Sequence, residues 1–552
     1  MRKYKLFLLS ILTGLLLSVA WPARGFPVIL FFAFVPLLLV EDYILTNRNK
    51  FRRLSIMLYA FISFLVWNVL TTYWVYNSTA VGGIFAFIFN ATLMAIAFTV
   101  FHLTRRTFKG NRGYISLIVC WITFEFLHLN WDLTWSWLNL GNGFANQITW
   151  VQWYEYSGTF GGTFWILLSN ILFFLLLKNI FSSKPDLRKS KILAVTISLI
   201  IVIPIIWSLF IYKNYEEKGK AFDIVVVQPN IDPYNEKFGG MSMEDQLAKM
   251  LELSKSKVDK NTRFLLFPET ALPEGMYEDE LDSSTSFLMI RKFQEPYPDL
   301  KIITGASTYK MFKPGEPLSA TARKYGNHQG VFYDAYNTAL YIDSSKKIQI
   351  YHKSKLVPGV EKMPFSKYLG FLEKYSVNLG GMKGSYGIQE DRTPFYSANE
   401  NIKAAPVICY ESVYGEYVSE YVKNGANFIF IITNDGWWGD TPGYKQHFDY
   451  ARLRAIETRR CVARSANTGI SGFINQRGDV LEHSEWWEPI ALKQSIKANS
   501  EITYYVEHGD YFGRISFCVA ALIIFSSIIS SFITYFRRKK INQTPLPTPD
   551  EP

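Results

Sequence analysis

Residues 192–228 read ILAVTISLIIVIPIIWSLFIYKNYEEKGKAFDIVVVQ, and within this one stretch the chain changes solvent. The run from Ile192 to Lys213 is long and apolar enough to cross a bilayer core, which takes roughly 20 residues as a helix. A charged spacer, NYEEKGK, follows it. After the spacer comes FDIVVVQ, a short β-branched run that reads as a buried strand. The sequence therefore predicts a lipid-facing helical part before this point and an α/β part after it.

Working outward, apolar segments lie near residues 6–21, 27–45, 55–75, 82–103, 114–128, 162–181, 192–213 and 514–536, the fifth being the shortest. A polar block from about 214 to 510 separates the seventh from the eighth. The 552 residues are 49% hydrophobic, 16% aromatic and only 19% charged, a mixture that excludes a purely water-soluble chain. The net charge of +11 would suggest a nucleic-acid partner if it formed a patch in the polar block, but many of the basic residues flank apolar runs. They cluster at Arg2/Lys3/Lys5, Arg48/Lys50/Arg52/Arg53, Arg105/Arg106/Lys109/Arg112, Lys184/Arg188/Lys189/Lys191 and Arg537/Arg538/Lys539/Lys540. The stretches 73–83 and 130–161 contain no Lys or Arg, and the first of the alternate loops has only Arg24.

Cytoplasmic loops retain Lys and Arg, so this alternation predicts two cytoplasmic termini and an extracytoplasmic polar block. The expected organisation is seven transmembrane helices over 1–213, a catalytic α/β domain over 214–510, an eighth helix with a basic end over 511–540, and a disordered tail over 541–552. A cleaved signal peptide is an alternative reading of the first segment, and it would leave the polar block on the same side.

Inside the polar block, strand-like runs end on reactive side chains: FLLFPE at Glu269, IQIYHK at Lys353 and APVIC at Cys409. Sites of α/β folds are assembled where buried strands end. Cys409 is followed by YES and a helical pattern, which places it at a strand-to-helix elbow where a helix N-terminus and a lysine favour the nucleophilic thiolate. Glu269 suits a general base, and Lys353 an oxyanion partner. Singly, each has a bland reading: an inert core thiol, a solvated lysine, a capping glutamate. Cys120, Cys461 and Cys518 read as packing residues, and His447 as structural. The four cysteines show no CxxC spacing, and there is no GxSxG or HExxH string, so zinc sites, serine esterases and zinc peptidases lack support.

The strings FPETALP (267–273), YHKSKLVPGVEKMPF (351–365), VICYES (407–412), ITNDGWWGDTPGYKQH (432–447) and RLRAIETRRCVARSANTGISGFIN (452–475) resemble, in order, the nitrilase-superfamily block of the apolipoprotein N-acyltransferases. The resemblance covers most of residues 222–510, and the eight-segment layout extends it to the whole chain. It implies a multi-pass α-helical membrane domain plus an extracytoplasmic nitrilase-like αββα sandwich. It also implies a catalytic set of Glu269, Lys353 and Cys409, with Glu361 supporting the lysine and Tyr410 and Glu411 following the nucleophile. The implied reaction needs no cofactor and no metal. A phospholipid donates an acyl chain to Cys409, and the α-amino group of a diacylated apolipoprotein accepts it, at the bacterial inner membrane with the catalytic domain on its periplasmic or outer face. The sequence departs from the family's usual Phe-Gly between the proline and Glu361, having Gly359 and Val360 after Pro358, so loop shape there is open. The loop of Trp437 and Trp438 reads either as a cover or lipid contact for the site or as packing. The Trp-rich loop 131–153 suits an interfacial belt.

Two rivals remain on sequence alone. A membrane-anchored amidohydrolase would give the same acyl-enzyme to water. A transporter or receptor is disfavoured by the scarcity of ionisable residues in the helices.

Overall fold

The computed structural model describes residues 3–541 apart from 24, 109, 327, 329, 346 and 366–384. Of the expected disordered tail, 541–552, Ile541 closes the C-terminal helix and 542–552 lie outside the described residues. The helical part contains α1 (Lys3–Ala20), α2 (Val35–Thr46), α3 (Ser55–Thr72), α4 (Ala80–Thr107), α5 (Ile115–His128), α6 (Tyr154–Ile180) and α7 (Leu187–Asn214), with a C-terminal helix at Tyr511–Ile541. Among the described residues seven stretches are long and apolar enough to cross a bilayer: α1, Pro27–Thr46 ending in α2, α3, α4, α6, α7 and the C-terminal helix. The fifth expected segment, α5, is a 14-residue helix and falls short of that length. It still returns the chain to the side from which α4 started, because the carbonyl of Leu129 accepts from Lys355 of the α/β body.

Backbone groups that leave regular helix in an apolar surround must find partners inside the bundle. Pro204 in α7 has no N–H to give the carbonyl of Ile200, and the indole N–H of Trp165 donates to that oxygen at 2.7 Å. The break before α2 is covered from α6: the Asn170 amide nitrogen donates to Leu30 O at 2.7 Å, and its oxygen accepts from Phe34 N at 2.7 Å. The bundle also holds ionisable groups that the sequence reading counted as scarce. Glu41 meets His102 at 2.7 Å and also pairs with Arg105, while Asp42 meets Arg105 at 2.8 Å and Lys178 at 2.7 Å. These pairs tie α2, α4 and α6 together rather than lining the cavity described below.

Among the described residues the α/β body has fourteen strands. They are β1 (Lys220–Gln228), β2 (Thr262–Leu266), β3 (Leu272–Tyr277), β4 (Lys301–Met311), β5 (Arg323–Lys324), β6 (Phe332–Ile342), β7 (Gln349–His352), β8 (Phe395–Ser397), β9 (Ile402–Ile408), β10 (Phe428–Thr433), β11 (Cys461–Ala466), β12 (Gly472–Ile474), β13 (Val480–His483) and β14 (Ile490–Ala498). One sheet runs β14-β1-β2-β4-β6-β5, with β3 paired to β4 and β7 to β6; the other runs β13-β12-β11-β10-β9-β8. Strand alternation sorts their residues. Ile224, Val226 and Phe264 face the second sheet, where Phe264 meets Phe430 edge-on at 5.3 Å. Val225, Val227 and Leu265 face the other way, onto Leu247 and Met250 of α8 (Met243–Lys255) and Phe287 and Ile290 of α9 (Thr285–Gln294). Helices α10 (Gly415–Lys423) and α11 (Pro442–Thr458) cover the second sheet, completing the expected αββα sandwich, and α11 is itself pressed onto α6.

The sandwich is bolted to one end of the bundle. Trp21, after α1, donates to Tyr450 OH at 3.1 Å, Asn77 donates to Trp438 O at 2.8 Å, Arg459 pairs with Glu155 at the start of α6 at 2.7 Å, and Tyr212 near the end of α7 donates to Asp479 at 2.5 Å.

Candidate active site

Three strand ends converge on one cavity of about 600 Å³. Glu269 stands three residues past β2, Lys353 directly after β7, and Cys409 directly after β9. All three are buried. The Lys353 ammonium lies 2.9 Å from Glu269 Oε1 and 2.8 Å from Glu361 Oε1, so one lysine is shared by two carboxylates. Asn337 of β6 bridges the same two oxygens from the other side, donating its amide nitrogen to Glu269 at 2.8 Å and Glu361 at 3.0 Å. The remaining oxygen of Glu361 accepts from Val357 N at 2.9 Å. The turn that carries Glu361 closes through Glu361 N to Val357 O at 2.9 Å and has Gly359 at φ +79°, so glycine at this position supplies the left-handed backbone.

Cys409 has φ +51°, in the left-handed region that a non-glycine residue enters only when its surroundings hold it there. Those surroundings are explicit. Glu411, two residues on, accepts from Ile408 N at 2.8 Å, Ser354 N at 2.7 Å, Tyr351 OH at 2.9 Å and Tyr417 OH at 2.5 Å. Ser412 donates to the Cys409 carbonyl at 2.8 Å and also meets His447 at 2.8 Å, while His447 meets Asp435 at 2.9 Å and Arg464 pairs with Asp435. His447 thus braces the elbow. Tyr410 turns toward the helical part: its hydroxyl donates to Thr134 O at 3.2 Å, and Tyr414 OH meets the Thr134 hydroxyl at 2.9 Å.

The elbow is present, but a helix N-terminus favouring a thiolate is not. Cys409–Val413 is a single 3₁₀ turn, and the regular helix α10 begins only at Gly415. Burial pushes the Cys409 thiol well above its ordinary value, the Glu269 charge adds to this, and the opposing charge of Lys353 does not overcome them. Glu269 goes the other way. Burial alone would raise it, yet the Lys353 charge and the hydrogen bonds from Lys353 and Asn337 hold it below the usual carboxylate range. Lys353 is raised well above the usual lysine value, Glu269 and Glu361 outweighing burial. At rest the arrangement is a thiol facing a carboxylate, which lets the carboxylate remove the thiol proton as the sulfur attacks.

Two lining residues bonded to Glu269 were not singled out from the sequence. Asn337 lies in a strand-like run, NTALYID, that carries no chemical signal. Lys237 follows β1 in a loop, is buried, and donates to the Glu269 carbonyl at 2.9 Å; burial draws its ammonium down to about 8, with Glu269 and Cys409 opposing.

Trp437 and Trp438 both line the cavity, and both also pack. Trp438 lies 4.6 Å from the Trp74 ring and 5.6 Å from Trp137, both of the helical part, and Trp437 lies 5.2 Å from Tyr234. The far wall is made by helical residues, among them Trp74, Phe85, Phe89, Asn90 and His128. Among the described lining residues, every Asp, Glu, Lys or Arg comes from the α/β side.

An αββα sandwich with cysteine, carboxylate and lysine at its strand ends, docked on lipid-spanning helices, has the build of a membrane-bound carbon–nitrogen hydrolase. The Carbon-nitrogen hydrolase family matches residues 224–499, and the Apolipoprotein N-acyltransferase N-terminal domain family matches residues 13–172. An apolipoprotein N-acyltransferase from Chlorobaculum tepidum is 28% identical over 94% of this chain and 96% of its own. Relatives of the same name from Geobacter metallireducens and Thermotoga maritima are 25% and 24% identical, over 97% and 94% of this chain and 96% and 93% of theirs. The chain belongs to the apolipoprotein N-acyltransferase branch of the carbon–nitrogen hydrolase family.

Proposed function

We propose that this membrane protein moves an acyl chain from a phospholipid to the α-amino group of the S-diacylglyceryl cysteine at the N-terminus of an apolipoprotein. The carrying observation is the single cavity that joins Cys409, Glu269 and Lys353 to an apolar wall of membrane helices. Donor and acceptor are both lipid-anchored, so a site with one wall in the bilayer spares either from leaving it.

In the first half-reaction Glu269 takes the Cys409 proton as sulfur attacks the ester carbonyl. The Lys353 ammonium stabilises the oxyanion of the tetrahedral intermediate. Collapse breaks the ester C–O bond, the proton on Glu269 passes to the departing glyceryl oxygen, and a thioester and a lysophospholipid result. In the second, the neutral amine attacks the thioester, Glu269 accepts an amine proton, the C–S bond breaks with that proton returning to sulfur, and an amide leaves. Glu361 and Asn337 hold Lys353 and Glu269 in register, and Glu411 holds the elbow. The Trp437–Trp438 loop covers the site and limits water. The basic clusters put both termini in the cytoplasm and residues 214–510 on the outer face of the inner membrane.

The test is lysophospholipid release by purified enzyme with no acceptor, with a diacylglyceryl-cysteinyl peptide, and with the same peptide N-acetylated. About one turnover is expected without acceptor and with the blocked peptide, and sustained turnover with the free amine. Continuous release that none of the peptides changes would establish a hydrolase instead. A probe cysteine at Ser256 labelled only from the cytoplasm would overturn the topology.

A further inference from the structure

His128 is the last residue of α5 and lines the catalytic cavity from the helical side, yet no step above uses it. It is 4% exposed. Its ring is fixed by stacking on Phe124 at 5.4 Å and by the Trp131 indole N–H, which reaches Nδ1 at 2.7 Å. An indole nitrogen can only donate, so Nδ1 is the acceptor and the neutral ring carries its hydrogen on Nε2. That Nε2–H has no partner among the described residues.

On the same wall Asn90, 2% exposed, presents an acceptor. Its amide nitrogen donates to Asn68 Oδ1 at 2.7 Å, and the Asn68 amide nitrogen is committed to Phe64 O at 2.8 Å. The chain of donors fixes the direction, leaving Asn90 Oδ1 without a partner among the described residues. A buried donor or acceptor left unpaired is costly, so a wall that keeps these two, together with the unpartnered indole N–H groups of Trp74 and Trp135, is built for an occupant that supplies complements.

Both groups are neutral, which suits neither a phosphate nor an ammonium. They suit the uncharged polar middle of a lipid. The position fits: Leu129, next to His128, gives its carbonyl to Lys355, two residues past the lysine at the centre of the site.

We propose that His128 Nε2–H is the hydrogen-bond donor for the ester carbonyl of the acyl chain that is not transferred, so that the cavity discriminates ester-linked from ether-linked glycerolipids. This deepens the acyl-transfer reading and rests on it. Asn90, on the same wall, is the acceptor for the glyceryl hydroxyl that the departing lysophospholipid gains.

The experiment compares a diacyl phospholipid with its two monoether analogues, one alkyl-linked at each glycerol position, with head group and chain length held constant. Only the regioisomer that keeps the transferred ester can react, and it lacks only the carbonyl assigned to His128. Its kcat/KM is expected to be about tenfold below that of the diester, the scale set by one site donor left unpaired. In His128→Phe the ratio should fall to near unity, and in His128→Gln, which keeps an N–H, part of it should survive. Equal use of diester and reactive monoether by the wild-type enzyme, or an undiminished preference in His128→Phe, overturns the assignment. Should His128→Phe not fold, the wild-type ratio and His128→Gln still decide. No transfer from any donor would instead sink the acyltransferase reading.

Discussion

The two walls of the cavity solve opposite problems. On the α/β wall Glu269, Glu361 and Lys353 are buried together, and each charge is matched by a hydrogen-bonded partner. On the helical wall Trp74, Phe85 and Phe89 offer hydrocarbon, and the polar atoms of Asn90 and His128 are neutral. Charge in a low-dielectric site must be paired or it is expelled as a shifted protonation state, whereas lipid chains need only apolar volume. On the proposed reading the difference teaches where chemistry and substrate solvation are divided: covalent work is assigned to the strand ends, and lipid holding to the helices. The two meet at Trp438, which packs on Trp74 and Trp137.

The largest effect should come from removing the nucleophile on the charged wall. Cys409→Ser is expected to lower acyl transfer by about 10³-fold or more, since an alcohol is a far weaker nucleophile beside the same base, with circular dichroism and membrane insertion unchanged. Turnover near wild type would break the division at once. Next, Lys353→Met leaves Glu269 and Glu361 buried without their shared cation. A loss of about 3–5 kcal/mol in stability is expected, as for other broken buried pairs, read by thermal unfolding in detergent. Adding Glu361→Gln should recover part of that stability but none of the activity.

The pH profile sharpens the same wall. Glu269 is held below the usual carboxylate range, so its base form is complete above that range and is lost only as pH falls through its lowered pKa. The Cys409 thiol is pushed up by burial and does not ionise by itself near neutrality. The rate of thioester formation should therefore be flat from about pH 6 to 8, in single-turnover measurements; a tenfold rise per unit across that window would mean that a free thiolate is the reactant.

The seam between the two walls should respond less sharply. Trp438→Ala removes an aromatic contact between the two parts, and a fall of about tenfold in kcat/KM for phospholipid is expected, with single-turnover thioester chemistry at saturation little changed. Smallest is Asn77→Ala, which deletes one exposed hydrogen bond to the Trp438 carbonyl. It should cost less than about twofold.

Much of this was legible in the sequence. Strands ending on Glu269, Lys353 and Cys409 were readable because β-branched runs and their terminal residues announce themselves locally, and the basic clusters announced the alternation of helix ends. What stayed hidden depends on contacts distant in the chain. Asn337 touches Glu269 and Glu361 from a strand whose sequence looks purely structural. The resting state of Cys409 was misread because a helical pattern after it suggested a helix dipole at the sulfur, when a 3₁₀ turn intervenes and burial dominates. The Glu41–His102 pair was passed over because hydropathy averages dilute two ionisable residues on two helices, and Arg105, read as a flanking cation, joins that pair inside the bundle.

The central claim is that Cys409 carries the acyl chain between the two lipids. Intact-protein mass spectrometry after exposure to a defined phospholipid, followed by peptide mapping, tests it most directly. The account predicts a single added acyl mass on Cys409, removed when a diacylglyceryl-cysteinyl peptide is supplied and retained with its N-acetylated form. An acyl adduct on another residue in an active preparation, or the same adduct and turnover in Cys409→Ser, would contradict it.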